Sequence, residues 1–354
     1  MPYVFGTGSF AQLLSQRIVE GSGPGAFDGY LELGPIQRDI HFELAGSDAL
    51  DYEKAVFIGV HNPDIPSGSV EKDLRLLGFT HIYNPTQSIR ELFGANPRHL
   101  SGNNNQFSKY WLTSNLDYLE DKSRIRKIRD WLADEESKEL LDALVNFRSS
   151  GDSNKLPIPR PVNEQYFDFD LVPKDAFCRF LDAGAYVGDT CESLLVHLGL
   201  DSLQQYWGFE PDYENFGVLQ SACSKLPVPS NIFPLALGLE NQVVNFQSDG
   251  KASSSVGQGE SKIVQLKGDH FFSKMKSIDA PTFMKFDIEG VELEALKGLE
   301  ETIVSFRPRL AISVYHKPED FLEIPEYIDS LGLGYSLHLR SYAYNNFDTV
   351  LYAV

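Results

Sequence analysis

Three stretches of this chain place side chains at spacings that could do chemistry. In Phe180-Leu-Asp-Ala-Gly-Ala-Tyr-Val-Gly-Asp-Thr190 an apolar run leads into an acid, a glycine turn and a helix-like run. Gly184 and Gly188 carry no Cβ, so the chain can turn sharply there and approach a ligand closely. Asp182 can accept hydrogen bonds from a ligand amine or from the turn's own amides. Further on, Glu210 ends the apolar run of Trp207-Gly-Phe-Glu-Pro211, where an acidic residue can take both hydroxyls of a ribose. Asp182, Gly184, Ala185, Tyr186, Gly188, Asp189, Thr190, Glu210 and Pro211 thus read as a nucleoside cradle. The glycines alone do not decide this, because such turns also serve ordinary strand-to-helix connections.

The third stretch, Lys285-Phe-Asp-Ile-Glu-Gly-Val-Glu292, holds Asp287, Glu289 and Glu292 at a strand-to-helix junction. Acids there stabilise a helix start by about 0.3–1 kcal/mol each, which is one reading. The other has Asp287 or Glu289 facing a bound ligand from the strand's carboxyl end. Clustered carboxylates also suit Mg²⁺ or Ca²⁺, although no residue is assigned as a metal ligand; the cysteine and histidine spacing argues against zinc. His316, closing Ser313-Val-Tyr-His, could deprotonate a hydroxyl near neutral pH or bond a backbone carbonyl as a structural residue.

In this order, with Arg309-Leu-Ala-Ile-Ser-Val-Tyr-His316 and the ending Asp348-Thr-Val-Leu-Tyr-Ala-Val354, the motifs resemble the FkbM family of S-adenosylmethionine-dependent methyltransferases. The resemblance runs from about Phe177 to the end of the chain. It implies a class I methyltransferase fold, S-adenosylmethionine as cofactor, and O-methylation of a hydroxyl on a sugar, glycan or natural-product acceptor. Asp287 or Glu289 would then face the transferring methyl and orient the acceptor, and His316 would remove its proton. Ser254, in Ser253-Ser-Ser255, resembles a serine-rich loop that touches cofactor or substrate, although a plain polar turn fits equally. Gly268-Asp-His-Phe-Phe272 departs from the Leu-Asp-Asp pattern expected of the family, which leaves a contact to the cofactor's base unassigned.

The elements that must position these residues follow from the hydrophobic pattern. From Phe177 onward, strands are expected near 178–182, 206–210, 232–237, 283–287, 310–315, 335–339 and 349–353, with helices near 189–198, 213–224, 291–304 and 319–330. The alternation describes an α/β domain, residues 166–354, with a doubly wound, mostly parallel sheet. Ligands of such sheets sit beyond the strands' carboxyl ends, where each motif falls. The aromatic segment Tyr166-Phe-Asp-Phe-Asp170 could cover a sheet edge or wall the substrate site.

Residues 1–90 read as a smaller Rossmann-like α/β domain, with strands near 3–6, 26–31, 54–60 and 80–83, helical spacing of Phe10, Leu13, Leu14 and Ile18 after the first turn, and a helix near 69–77. Its Gly6-x-Gly8 turn has Ala11 in place of a third glycine, and Asp28 stands about where a ribose-binding acid is expected. A nicotinamide-dependent sugar-nucleotide oxidoreductase is therefore an alternative, though no Tyr-x-x-x-Lys spacing near the turn supports it. A non-catalytic nucleoside-binding assembly protein is another. Residues 91–148 form a helical connecting segment, with a loop at Ser101-Gly-Asn-Asn-Asn105 and apolar residues from Tyr110 to Leu144 at helical intervals; 149–165 form a Pro- and Ser-rich linker.

Composition narrows the partners. Asp and Glu outnumber Lys and Arg, 50 to 31, for a net charge of −19, which repels nucleic acid and anionic membranes. No apolar run is long enough to span a bilayer, and the amino terminus lacks the basic start of a signal peptide. Cys178, Cys191 and Cys223, without Cys-x-x-Cys spacing, read as reduced thiols of a cytoplasmic protein. The expected partner is a small-molecule or glycan acceptor, and a homo-oligomer is left open.

Overall fold

In a computed structural model of the protein, the residues described are 1–23, 25–32, 50–93, 117–199, 203–226, 228–247, 255–256 and 259–354. The chain divides into two compact units. One comprises Met1–Arg124, Glu139–Pro159 and Ala343–Phe347; the other comprises Ile125–Lys138, Arg160–Tyr342 and Asp348–Val354.

The first unit opens with β1 (Tyr3–Phe5), buried along its length, which runs into Gly6 at φ 97°. A Cβ on Gly6 would lie 2.6 Å from the Val60 side chain, so the turn into α1 (Ser9–Ser22) needs glycine. Helical spacing turns Phe10, Leu14 and Ile18 of α1 into the core. Then come β2 (Gly29–Leu31), β3 (Val56–Ile58), α2 (Ser67–Leu76), β4 (Ile82–Tyr83) and α3 (Pro85–Phe93). The strands make a parallel sheet in the order β2-β1-β3-β4. The expectation for Asp28 is corrected here. Asp28 precedes β2, at the strand's amino end, and its carboxylate pairs with Lys54. The acid at the carboxyl end of β2 is Glu32, which accepts a hydrogen bond from the Thr7 hydroxyl.

Two helices, α4 (Lys122–Trp131) and α5 (Glu135–Ser150), appear in the stretch read as helical, and α5 runs on to Ser150, past its expected end and into the span read as linker. The loop expected at 101–105 and the apolar residues at 110–112 and 116 lie outside the described residues.

The second unit continues with β5 (Arg179–Ala183), α6 (Asp189–Leu198), β6 (Gln205–Phe209), α7 (Tyr213–Cys223), β7 (Ser230–Phe233) and β8 (Ala236–Gly238). Next are β9 (Gln242–Gln247), β10 (Ser255–Val256), β11 (Ser261–Lys267), α8 (Asp269–Phe272) and β12 (Phe283–Phe286). It ends with α9 (Glu292–Gly298), α10 (Glu300–Phe306), β13 (Arg309–Ser313), α11 (Asp320–Ser330), β14 (Leu337–Ser341) and β15 (Thr349–Ala353). Seven strands form one sheet in the order β14-β15-β13-β12-β5-β6-β7. All neighbours are parallel except β15, which runs antiparallel to both β13 and β14.

The middle strands are apolar on both faces. Phe180, Leu181, Phe283, Met284 and Leu310 are fully buried, as a parallel sheet covered on two sides requires. Each such side chain stabilises the fold by about 1.5–3 kcal/mol. The chain builds outward from β5 to β6 and β7, then returns to build β12 and β13 on the other side. The order therefore reverses between β5 and β12, and a crevice opens there beyond the strands' carboxyl ends.

Two expected elements are divided. The strand expected at 232–237 is two strands, β7 and β8, in different sheets; Pro234 between them has no N–H to continue a ladder. The helix expected at 291–304 is broken at Leu299. Its Gly298 packs so near the Gly238 backbone that a Cβ would lie 2.0 Å from the Gly238 oxygen. A second sheet, β10-β9-β11-β8, was not foreseen.

Candidate active site

Gly184 directly follows β5 with φ 84°. A Cβ on it would stand 1.8 Å from the Asp287 carbonyl oxygen, at the end of β12. The two strands' carboxyl ends can close on each other only around a glycine, and this closure makes the floor of a cleft of about 240 Å³. The cleft is lined by Gly184, Tyr186, Asp189, Thr190, Glu210 and Pro211 on one side and by Asp287, Glu289, Tyr315, Asp348, Gln165 and Tyr166 on the other. Phe209, Leu235, Leu237 and Phe246 add an apolar wall.

Not every residue of the expected cradle faces this space. Ala185 is buried beneath the turn, and Gly188, at φ 91°, caps α6 without lining the cleft. Asp182 is fully buried and also lies outside the lining. Its carboxylate accepts a hydrogen bond from Tyr206 Oη at 2.8 Å and pairs with Lys285 Nζ at 2.9 Å. Lys285 in turn donates to the Gly184 carbonyl at 2.6 Å. Burial opposes charge on this lysine, but Asp182, Asp287 and Asp189 outweigh burial and hold its ammonium above the ordinary range. Asp182 thus shapes the turn from below through Lys285. Ser254 lies outside the described residues.

Glu210 is nearly buried, and each carboxylate oxygen accepts one backbone amide: Oε2 from Tyr186 N at 3.0 Å, Oε1 from Asp212 N at 2.8 Å. Burial pushes its carboxyl up to about 7. The next residue pair fixes the helix that follows, since Asp212 accepts from the amides of Glu214 and Asn215 at the start of α7.

On the opposite side, Asp287 Oδ2 accepts a hydrogen bond from Tyr166 Oη at 2.8 Å, and Tyr315 Oη lies 3.4 Å from Oδ1. Burial tends to raise the Asp287 carboxyl, but Lys285 and His316 outweigh it and hold it below the usual range. Burial beside Asp287 raises both tyrosines well above theirs, so they remain donors. The His316 ring stands behind this face, with a 7% exposed side chain, and does not line the cleft. Its Nδ1 lies 2.8 Å from Glu292 Oε1; its Nε2 lies 3.4 Å from Asp287 Oδ1 and 3.6 Å from Glu289 Oε1. Burial opposes the ring's charge, but these carboxylates, Glu292 first, push it up to about 10. The proton-acceptor role suggested for His316 is corrected: the ring does not line the cleft, and the carboxylates around it favour its protonated form.

Among the described residues, seven non-glycine residues have left-handed backbones. Four of them, Tyr166, Tyr186, Glu289 and Asp348, line this cleft. Such conformations cost about 1–3 kcal/mol each and persist where surrounding structure imposes them, as at functional sites.

Sequence reasoning missed Lys285, Phe246, Tyr315 and Asp348. Phe246 was detectable, being the inward residue of the alternating run Val244-Asn-Phe-Gln247. The buried thiols Cys191 and Cys223 are held well above the ordinary thiol range by burial, and all three cysteines are free. Among the described residues no helix is long and apolar enough to cross a membrane.

A doubly wound sheet with one antiparallel strand near its edge, and a cleft at its switch point, has the class I methyltransferase architecture. Residues 182–337 match the methyltransferase FkbM domain, and this part of the chain is a methyltransferase domain of that family. The crystal structure of methyltransferase FkbM from Methylobacillus flagellatus KT has the same fold, with a TM-score of 0.74 at 23% identity, over 99% of this chain and 89% of that one. A Staphylococcus aureus chain, described as a candidate caffeoyl-CoA O-methyltransferase, aligns with 62% of this chain and 99% of its own at 10% identity, with a TM-score of only 0.35. No curated protein matches significantly.

Proposed function

We propose that this chain is an S-adenosylmethionine-dependent O-methyltransferase acting on a hydroxyl of a sugar, glycan or natural-product acceptor. The observation that carries the reading is the placement of Glu210 and Asp287 on opposite sides of one cleft, at the carboxyl ends of β6 and β12, with the Gly184 turn as its floor.

The residues present fit the cofactor. A carboxylate offers about four acceptor positions. The two amides on Glu210 use one on each oxygen, which leaves one per oxygen for a pair of ribose hydroxyls. Bound here, S-adenosylmethionine supplies a methyl group on a positively charged sulfur. Tyr186, Asp189 and Thr190 flank the nucleoside side of the cleft, while the apolar wall of Leu237 and Phe246 excludes water from it. Asp287, fixed by Tyr166, accepts a hydrogen bond from the acceptor hydroxyl and sets the direction of its oxygen. Holding the reacting groups in line is worth several kcal/mol, roughly the scale of other proximity effects.

Calorimetric titration with S-adenosylmethionine, S-adenosylhomocysteine and NADH tests this reading on wild type and Glu210→Ala. One site for the sulfur ligands, lost in the variant, is expected. Heat with NADH alone, or unchanged affinity in the variant, would overturn it.

A further inference from the structure

We propose that Asp287, Glu289 and His316 hold a divalent cation of the Mg²⁺ or Mn²⁺ class on the acceptor side of the cleft, with Glu292 orienting the histidine ring.

Glu292 is fully buried, and its Oε1 also accepts the amides of Ile288 at 2.8 Å and Gly290 at 3.3 Å. This oxygen is an acceptor surrounded by donors, so the His316 nitrogen beside it, Nδ1, carries a hydrogen. A buried carboxylate on one ring nitrogen is the arrangement that fixes a histidine's tautomer and turns the other nitrogen toward a metal. That other nitrogen, Nε2, is buried and makes no hydrogen bond.

Nε2 instead faces two carboxylate oxygens, Asp287 Oδ1 at 3.4 Å and Glu289 Oε1 at 3.6 Å. These separations exceed hydrogen-bond length. They approach the edge between adjacent ligands of one ion, about 3–3.4 Å when each ligand sits about 2.1–2.4 Å from the metal.

Charge points the same way. Six carboxylates, Asp182, Asp189, Asp287, Glu289, Glu292 and Asp320, share this end of the sheet with three cationic side chains, Lys285, His316 and Lys317. A dication on Nε2, in place of a proton there, offsets the excess. Two carboxylates with one imidazole suit Mn²⁺ or Mg²⁺ better than a thiophilic ion.

Asp287 and Glu289 line the cleft, so the open coordination positions would face it. An acceptor bearing two adjacent oxygens, such as the vicinal diol of a sugar, could chelate there. The metal would then lower the pKa of the hydroxyl to be methylated, and its proton would pass to solvent. This acceptor class rests on the methyltransferase reading; the cation site does not.

Titration of the full chain with Mn²⁺, followed by electron paramagnetic resonance, tests the site directly. One Mn²⁺ per chain is expected in wild type, with affinity at least about tenfold weaker in His316→Gln and in Glu289→Gln. Glu289 is partly exposed, so its variant keeps the test valid if loss of His316 disturbs folding. Each variant is checked for unchanged thermal melting and S-adenosylhomocysteine binding. Absence of Mn²⁺ binding in wild type, or equal affinity in wild type and the folded variants, overturns the proposal. Mn²⁺ binding without S-adenosylhomocysteine binding upholds the cation site and fails the cofactor reading; the reverse result does the opposite.

Discussion

Lys285 Nζ lies 2.9 Å from Asp182 Oδ1, and the two residues are paired across neighbouring strands, β12 and β5. One buried ammonium therefore ties the two strands at the point where the sheet order reverses, and it also holds the Gly184 carbonyl above. Breaking a buried pair by removing one partner leaves the other charge uncompensated, at a cost of about 3–5 kcal/mol. Lys285→Met should lower stability by about that much, and Asp182→Asn in the same chain should restore part of the loss. Urea unfolding measures both; an unshifted midpoint for Lys285→Met would refute the tie.

Gly184 and Gly217 predict opposite outcomes for one substitution. Gly184→Ala places a methyl 1.8 Å from the Asp287 oxygen on a left-handed backbone, so it should destabilise the fold and abolish S-adenosylhomocysteine binding. Gly217 lies inside α7 with open space around it, and Gly217→Ala should add about 0.5–1 kcal/mol of stability with binding intact. Melting curves beside ligand titrations separate the two.

On the proposed reading, Glu210 should make cofactor affinity depend on pH. Its carboxyl, ordinarily near 4.5, is pushed up to about 7 by burial. A raised carboxyl favours the fold most below its ordinary value, and this contribution is lost as pH rises through about 7. The stability of wild type relative to Glu210→Gln should therefore fall between about pH 5 and pH 8. Binding runs the other way, because the ribose needs the ionised acceptor: S-adenosylhomocysteine should weaken by about tenfold for each unit below 7. A flat binding profile in wild type would remove Glu210 from the ribose.

Tyr166 should separate cofactor binding from turnover. Its hydroxyl donates to Asp287 Oδ2, and a hydrogen bond to a charged group contributes about 1.5–3 kcal/mol. Tyr166→Phe should cut methyl transfer by roughly tenfold to a hundredfold while S-adenosylhomocysteine affinity stays constant. Equal losses in both would assign Tyr166 to the cofactor instead.

The sequence exposed those parts of the fold whose cause is local. Continuous apolar runs marked β5, β6, β12, β13 and β15, and the helix expected at 189–198 is α6 to the residue. Glycine turns and strand-end acids located the cleft because both properties travel with the residue itself. The division of 232–237 was also local, written in Pro234, whereas the break at Leu299 follows from a backbone approach between Gly238 and Gly298 that only the folded chain brings about. The roles of Asp182 and His316 were hidden for the same reason. Each is defined by its neighbours, Lys285 and Tyr206 for one and Glu292, Asp287 and Glu289 for the other, and those come from different strands and helices.

Gln165, Tyr166 and Asp348 line the cleft, yet all three fall outside residues 182–337. Two chains that share the matched span can thus keep the same turn and the same Glu210 while presenting different walls to the acceptor. On the proposed reading, cofactor contacts and part of the acceptor contacts are separable along the polypeptide. A fragment cut at the matched boundaries would retain the residues for the first and discard part of those for the second.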